Sequence, residues 1–172
     1  MTMQYDVKQG HLNQSGFFVL GRNRVKGISF FGTGSDATLV LFDTASVPVT
    51  SSVTYARSGT TVTVTKTAHG LLTGAIVGIH FDSNTSISAT DGNYSITRTS
   101  ADAFTLTDIN TGTITSTAAS YVSGGGRWLM TYEVDGTDTF SNAPFVPGEG
   151  VLAVNGIYAL MTQIDSAQIY YG

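Results

Sequence analysis

Cysteine is absent from this sequence. That excludes thiolate nucleophiles, zinc sites built on Cys and iron–sulfur clusters, and it leaves the redox compartment open. Charge is scarce too: 12% of the residues are charged, about half of the roughly 25% usual in a soluble domain. With eight basic residues and a net charge of −4, there are too few clustered cations to neutralise a phosphate backbone, so no nucleic acid is expected as a partner. The polar surface must instead be built from Ser, Thr, Asn and Gly. Such a surface has little charge repulsion between copies and suits a subunit packed against its neighbours. Long apolar runs are also missing. No stretch approaches the ~18 residues of a membrane span, and the opening MTMQYDVKQGHLNQSG lacks the apolar centre of a secretory signal. No membrane is expected as a partner. Helical periodicity is the last absence: apolar positions nowhere repeat at 3.6 over eleven residues without Gly, Pro or β-branched interruption.

What is present reads as β-structure. A chain of 172 residues suits one domain, or one domain carrying a small inserted module. Short β-rich runs divided by turn residues occur throughout: GFFVL (16–20), VKGISFF (25–31), ATLVLFD (37–43), RWLMTYEV (127–134) and AQIYYG (167–172). Between them, residues 52–122 change character and become rich in Thr, which fits a pleated, half-exposed surface. The predicted fold is all-β, an antiparallel β-sandwich of jelly-roll-like type built discontinuously from 16–51 and 123–172. A small β-module is inserted at 52–122, and an N-terminal arm, 1–15, orders only against a neighbour. One continuous β-domain is the alternative.

Two hairpins are expected. In GVLAVNGIYALM (150–161), Asn155-Gly156 is the preferred pair for a type I′ turn. That turn sets Val154 opposite Ile157 and Leu152 opposite Ala159, with both faces apolar. In SVTYARSGTTVTVTKTA (52–68), alternation on both sides of Ser58-Gly59 reads as a second hairpin, and AFTLTDI and TITSTAASYV read as two further strands.

TKTAHGLLTGAIVGIHF (65–81) holds two of the three histidines. A ligand pair of His69 and His80, completed by Asp82 or His11, would need a third donor within about 2.1 Å of one metal, and nothing in the spacing arranges it. The stretch reads as strand, turn, strand, with Gly70 and Gly74 supplying the reversal and His69 bonding a backbone carbonyl. No metal or other cofactor is expected. Against the calcium-loop template, DSNTSISATDGN (82–93) has Ile87 where Gly belongs and Asn93 where Glu belongs, so a polar loop at a module tip is the expected form.

Arg22, Arg24 and Lys26 gather three basic residues within five positions. In a regular strand all three face one side, as a solvated edge or as an electrostatic contact to an acidic neighbouring subunit. Trp128, Tyr132, Tyr158, Tyr170 and Tyr171 offer amphipathic contacts for a core, a subunit interface or a sugar; Tyr170 and Tyr171 join the basic trio as candidate partner contacts. Only two Glu occur, Glu133 and Glu149, most Asp lie in or beside turns, and no G-x-S-x-G elbow is present. No catalytic residue is assigned, and no enzyme is expected.

AHGLLTGAIVGI followed by DGNYSITRTSADAFTLTD resembles a small β-module that recurs in structural proteins of tailed bacteriophages, with the pattern A-H-G-L-x-x-G-x-x-V, then G-x-Y-x-I/V-T and F-T-L/V. The matching residues are Ala68, His69, Gly70, Leu71, Gly74, Val77, Gly92, Tyr94, Ile96, Thr97, Phe104, Thr105 and Leu106. Ala75 stands where that pattern often has an acidic residue. The resemblance covers 60–108, and the flanks are similar to short virion proteins of marine and cyanobacterial phages. It implies a non-catalytic virion component, assembled in the host cytoplasm. The first expectation is a head decoration or cement protein, a homo-oligomer and most simply a homotrimer, whose partners are itself and the major capsid protein or other virion proteins. The alternative is a tail or fibre component binding a host surface glycan.

Overall fold

The structure, a computed structural model, describes residues 7–81, 87–123, 126–135, 140–142, 146 and 148–172. It is all-β and antiparallel. In chain order the strands are β1 (Lys8–Leu12), β2 (Gly16–Leu20), β3 (Asn23–Gly32), β4 (Ala37–Asp43), β5 (Val49–Thr65), β6 (Ile76–Phe81) and β7 (Gly92–Ser95). They continue with β8 (Thr97–Arg98), β9 (Ala103–Ser123), β10 (Arg127–Val134), β11 (Phe140–Asn142), β12 (Val151–Ala153), β13 (Gly156–Thr162) and β14 (Ile164–Tyr171). Residues 1–47 with 129–172 form one compact unit and 48–128 another. The division falls there because β5 and β9 stay paired down to Val49 and Ser123.

The first unit is a β-sandwich. One sheet has the order β1-β14-β3-β11, with β12 also on β3; the other has β10-β4-β13-β2. The two inner faces meet in one core: Val25, Ile28, Phe30, Ala167 and Ile169 come from the first sheet, and Leu39, Leu41, Leu129, Ile157 and Ala159 from the second. Alternation along β4 and β14 delivers these residues inward, as period-two patterning requires. In β3 the phase changes, because a bulge at Lys26 lies between the Tyr171–Val25 and Tyr170–Gly27 pairs.

The expected type I′ hairpin at Asn155-Gly156 is not formed. β12 pairs with β3 while β13 lies between β4 and β2, so the chain here crosses from one sheet to the other. Asn155 has no positive φ. The cause is tertiary. The buried carboxylate of Asp43 accepts the N–H of Val154 at 3.0 Å and of Asn155 at 2.7 Å, which aims this segment away from a two-residue reversal. The arm also differs from expectation. Its residues 8–12 form β1 along β14, since backbone ladder bonds need no apolar anchor, while residues 1–6 lie outside the described part.

Gly150 shows how tightly β12 approaches β3. Its φ is +80° and a Cβ there would overlap the Val25 carbonyl oxygen. Gly150→Ala is expected to lower stability by about 2 kcal/mol or more, adding that overlap to the cost of a left-handed L-residue. Urea unfolding of the purified variant checks it.

In the second unit the sheet order is β5-β9-β6-β7, with β8 also on β9. The expected hairpin at Ser58-Gly59 and the two separate strands at 103–122 are both corrected: β5 and β9 are long single strands of 17 and 21 residues. Gly59 has φ +63° and sits at a bulge. Between the Gly59–Gly112 and Thr61–Thr107 pairs, β9 runs through three residues more than β5. The bulges reverse the inward phase, so Val53 and Tyr55 from one half of β5 and Val62 and Val64 from the other enter the same core with Phe81, Ile96 and Phe104. Phe81 packs edge-on to both Tyr55 and Tyr94.

Candidate functional site

The candidate contacts of the first unit are largely engaged within the chain. Arg22 precedes β3 and is exposed. Arg24 lies 3.1 Å from the Glu149 carboxylate and donates to the Gly150 carbonyl. Lys26 occupies the bulge, and its carbonyl accepts the N–H of Val146. The three therefore do not form one regular basic face. Tyr171 packs on the sandwich core and Tyr170 is half-buried beside Gln9 and Gly27. Tyr132 is also half-buried, as is Trp128 at the end of the second unit, and Tyr158 is buried against the edge of Phe17. Glu149 is exposed and paired with Arg24, and Glu133 is an exposed residue of β10.

In the second unit, His69 closes the turn between β5 and β6. Its Nε2 lies 3.1 Å from the Ser100 carbonyl, and its Nδ1 accepts the Leu71 N–H at 3.0 Å. One donor and one acceptor on the ring correspond to the neutral Nε2–H tautomer. Ala68, Gly70 and Gly74 all have positive φ, and Asp102 Oδ1 accepts the Ala68 N–H at 2.7 Å. His69 also meets the edge of Phe104. These contacts make it a fastener between the 68–71 and 100–104 segments.

His80 has a different partner: its Nδ1 lies 2.6 Å from Asp91 Oδ2, while Asp91 Oδ1 accepts the Phe81 N–H. Asp82 lies outside the described residues, as do 83–86 of the 82–93 loop. Among the described residues no group of three His, Asp or Glu gathers as for a metal ion.

Sequence reading missed the polar centre of this unit. Arg57 and Asp108 have side chains with 0% exposure, and Nη2 lies 3.0 Å from Oδ2. That approach is Coulombic, because the Nη2–H bonds are not aligned on an acceptor. Nε of Arg57 donates to Gly59 O at 3.1 Å, and Nη1 to Ile87 O at 2.8 Å and Ser88 O at 2.5 Å. Asp108 accepts the N–H of Thr90 and of Ile109. Tyr94 Oη donates to Thr90 O and lies 3.4 Å from Asp108 Oδ1. Gly112 admits this arrangement, since a Cβ there would come within 2.8 Å of Ile87 O. The network fixes residues 87–91 against β5 and β9. Asn93 then clasps the backbone of Trp128, accepting its N–H at 2.7 Å and donating to its carbonyl at 2.8 Å.

Burial, and then the charge of Asp108, raise the Tyr94 phenol above its ordinary value of 10.0. The folded unit thus holds the proton more tightly than the unfolded chain. The associated stability is complete below pH about 10 and declines as pH rises beyond it. Alkaline melts followed by hydrogen exchange in β6–β9 should show this decline, and Tyr94→Phe should flatten it.

No protein-family model matches this chain, and no curated protein matches it.

Proposed function

We propose that this chain is a non-enzymatic structural protein of a tailed-bacteriophage particle, first a head decoration or cement subunit that works as a homo-oligomer, most simply a trimer. The observation that carries this reading is the strand order of the sandwich. Taking β1, β2, β3, β4, β10, β11, β13 and β14 as eight successive strands, the orders 1-8-3-6 and 2-7-4-5 follow, which we read as jelly-roll wrapping, an architecture used by viral capsid and lectin domains. The resemblance of 60–108 to phage modules and the low charge add to it. In mechanism, a decoration subunit stabilises a shell by many repeated contacts, each of roughly 1,600 Å², so that symmetry multiplies modest interfaces.

Copy number in purified particles tests the placement. Hundreds of copies per head agree with decoration, and heads lacking the protein should then rupture earlier in urea or heat. A few copies confined to the tail, with glycan-array binding by the purified chain, would move it to the adhesin reading. Unchanged rupture removes the cement role.

A further inference from the structure

Strand β5 is the edge of its sheet. β9 pairs with it on one side, and among the described residues no strand pairs with it on the other. Such an edge presents backbone N–H and C=O groups that water or another strand must satisfy. Proteins usually blunt an edge with Lys, with Pro, by a bulge or by shortness. β1, at the edge of the sandwich, is five residues long and begins on Lys8. β5 differs. Over VTSSVTY (49–55) it is uncharged and free of Pro and Gly, and it pairs residue for residue with Thr117–Ser123. Its bulges begin only after Tyr55. The one cation within the strand, Arg57, is buried inward against Asp108. Val53 and Tyr55 face the core, and Ser52 and Thr54 are exposed.

We propose that β5 is the docking edge for a second copy of this chain. The two β5 strands pair antiparallel over 49–55 about a twofold axis, so that two modules share one continuous sheet. The occupant follows from the chemistry of the edge. A row of backbone donors and acceptors is complemented by another extended strand. Antiparallel self-pairing opposes no like charges in any register, because this segment carries none, and it sets Ser and Thr side chains opposite one another, a favourable cross-strand combination. Isologous twofold contacts are also the commonest in self-assembly. The inference deepens the proposal of a self-assembling subunit and rests on it. It adds a contact distinct from any threefold grouping, one that joins two such groups.

Light scattering of the full chain from micromolar to millimolar concentration reads the result. The double variant Ser52→Lys/Thr54→Lys is expected to halve the mass of the largest wild-type species, with its circular dichroism unchanged. Because the natural chain has no cysteine, Ser52→Cys and Thr54→Cys, alone and mixed one to one, report only on this edge. A short thiol cross-linker should give a covalent dimer in at least one of the three samples, and none with Thr97→Cys on β8. Absence of a dimer from all three overturns the twofold edge, whether or not the lysine variant folds. An assembled wild type whose mass the lysines leave unchanged also overturns it, while sparing self-assembly. A wild type that stays monomeric throughout overturns both.

Discussion

Replacing Asp108 by Ala is expected to destabilise the 48–128 unit by about 3–5 kcal/mol, the usual cost of leaving one member of a buried ion pair without its counter-charge. The side chains of Arg57 and Asp108 have 0% exposure, so water cannot replace the lost carboxylate. The variant also strips the N–H groups of Thr90 and Ile109 of their acceptor. Arg57→Met removes the other partner and releases the Ile87 and Ser88 carbonyls that hold the 87–91 segment. The combination Arg57→Met/Asp108→Leu should be less harmful than either single change, because no uncompensated charge remains inside. The chain contains two units, so its unfolding need not be two-state. Hydrogen exchange at β5 and β9 amides, compared with amides of β13 and β14, separates the units. An Asp108→Ala loss below about 1 kcal/mol would show that the pair carries little of the unit's stability.

This pair was legible in the sequence, although its meaning was not. Arg57 follows Val53 and Tyr55 at period two, and Asp108 follows Phe104 and Leu106, so each charge stands where an apolar residue of the inner face belongs. A charge in an inward phase is expensive unless paired. The rule that two such charges on neighbouring strands satisfy each other would have joined them. What the sequence did not reveal is that β5 and β9 are neighbours, because the Gly59–Gly112 pairing spans a long stretch of intervening chain.

The strands 16–20, 37–43 and 127–134 were readable from local patterning alone, with limits matching the structure. Turns were less so. A glycine with positive φ and a change of inward phase mark both a hairpin and a bulge. At Ser58-Gly59 the local signal is the same for either, and only the distant partner strand keeps the chain running straight on. In the sequence, the proposed function rests on the resemblance stated for 60–108. There the residues that recur, His69, Gly70 and Gly74, build the turn described above, whereas the polar network lies at Arg57, Asp108 and Tyr94, of which only Tyr94 belongs to the quoted pattern.

Asp43→Ala is expected to cost the sandwich roughly 3 kcal/mol or more, since charge-assisted bonds contribute about 1.5–3 kcal/mol each and buried N–H groups are left unpaired. Asp43 is 2% exposed, at the end of β4, and its carboxylate accepts from Val154 and Asn155, with the Gly156 N–H at 3.4 Å. Asp43→Asn should recover little, because an amide offers one acceptor oxygen and turns its NH₂ donors toward another N–H. The two residues of the Asn-Gly pair then separate the observed crossing from a type I′ hairpin. In a hairpin, Asn155→Ala would be strained by the positive φ demanded there. At the crossing Asn155 has no such φ, so Asn155→Ala should be nearly neutral in urea unfolding. Gly156→Ala should be severe, because its Cβ would come within 2.7 Å of Thr44 O and 3.0 Å of Val19 O. A large loss for Asn155→Ala would instead mean that the dipeptide's local preference prevails over the carboxylate of β4.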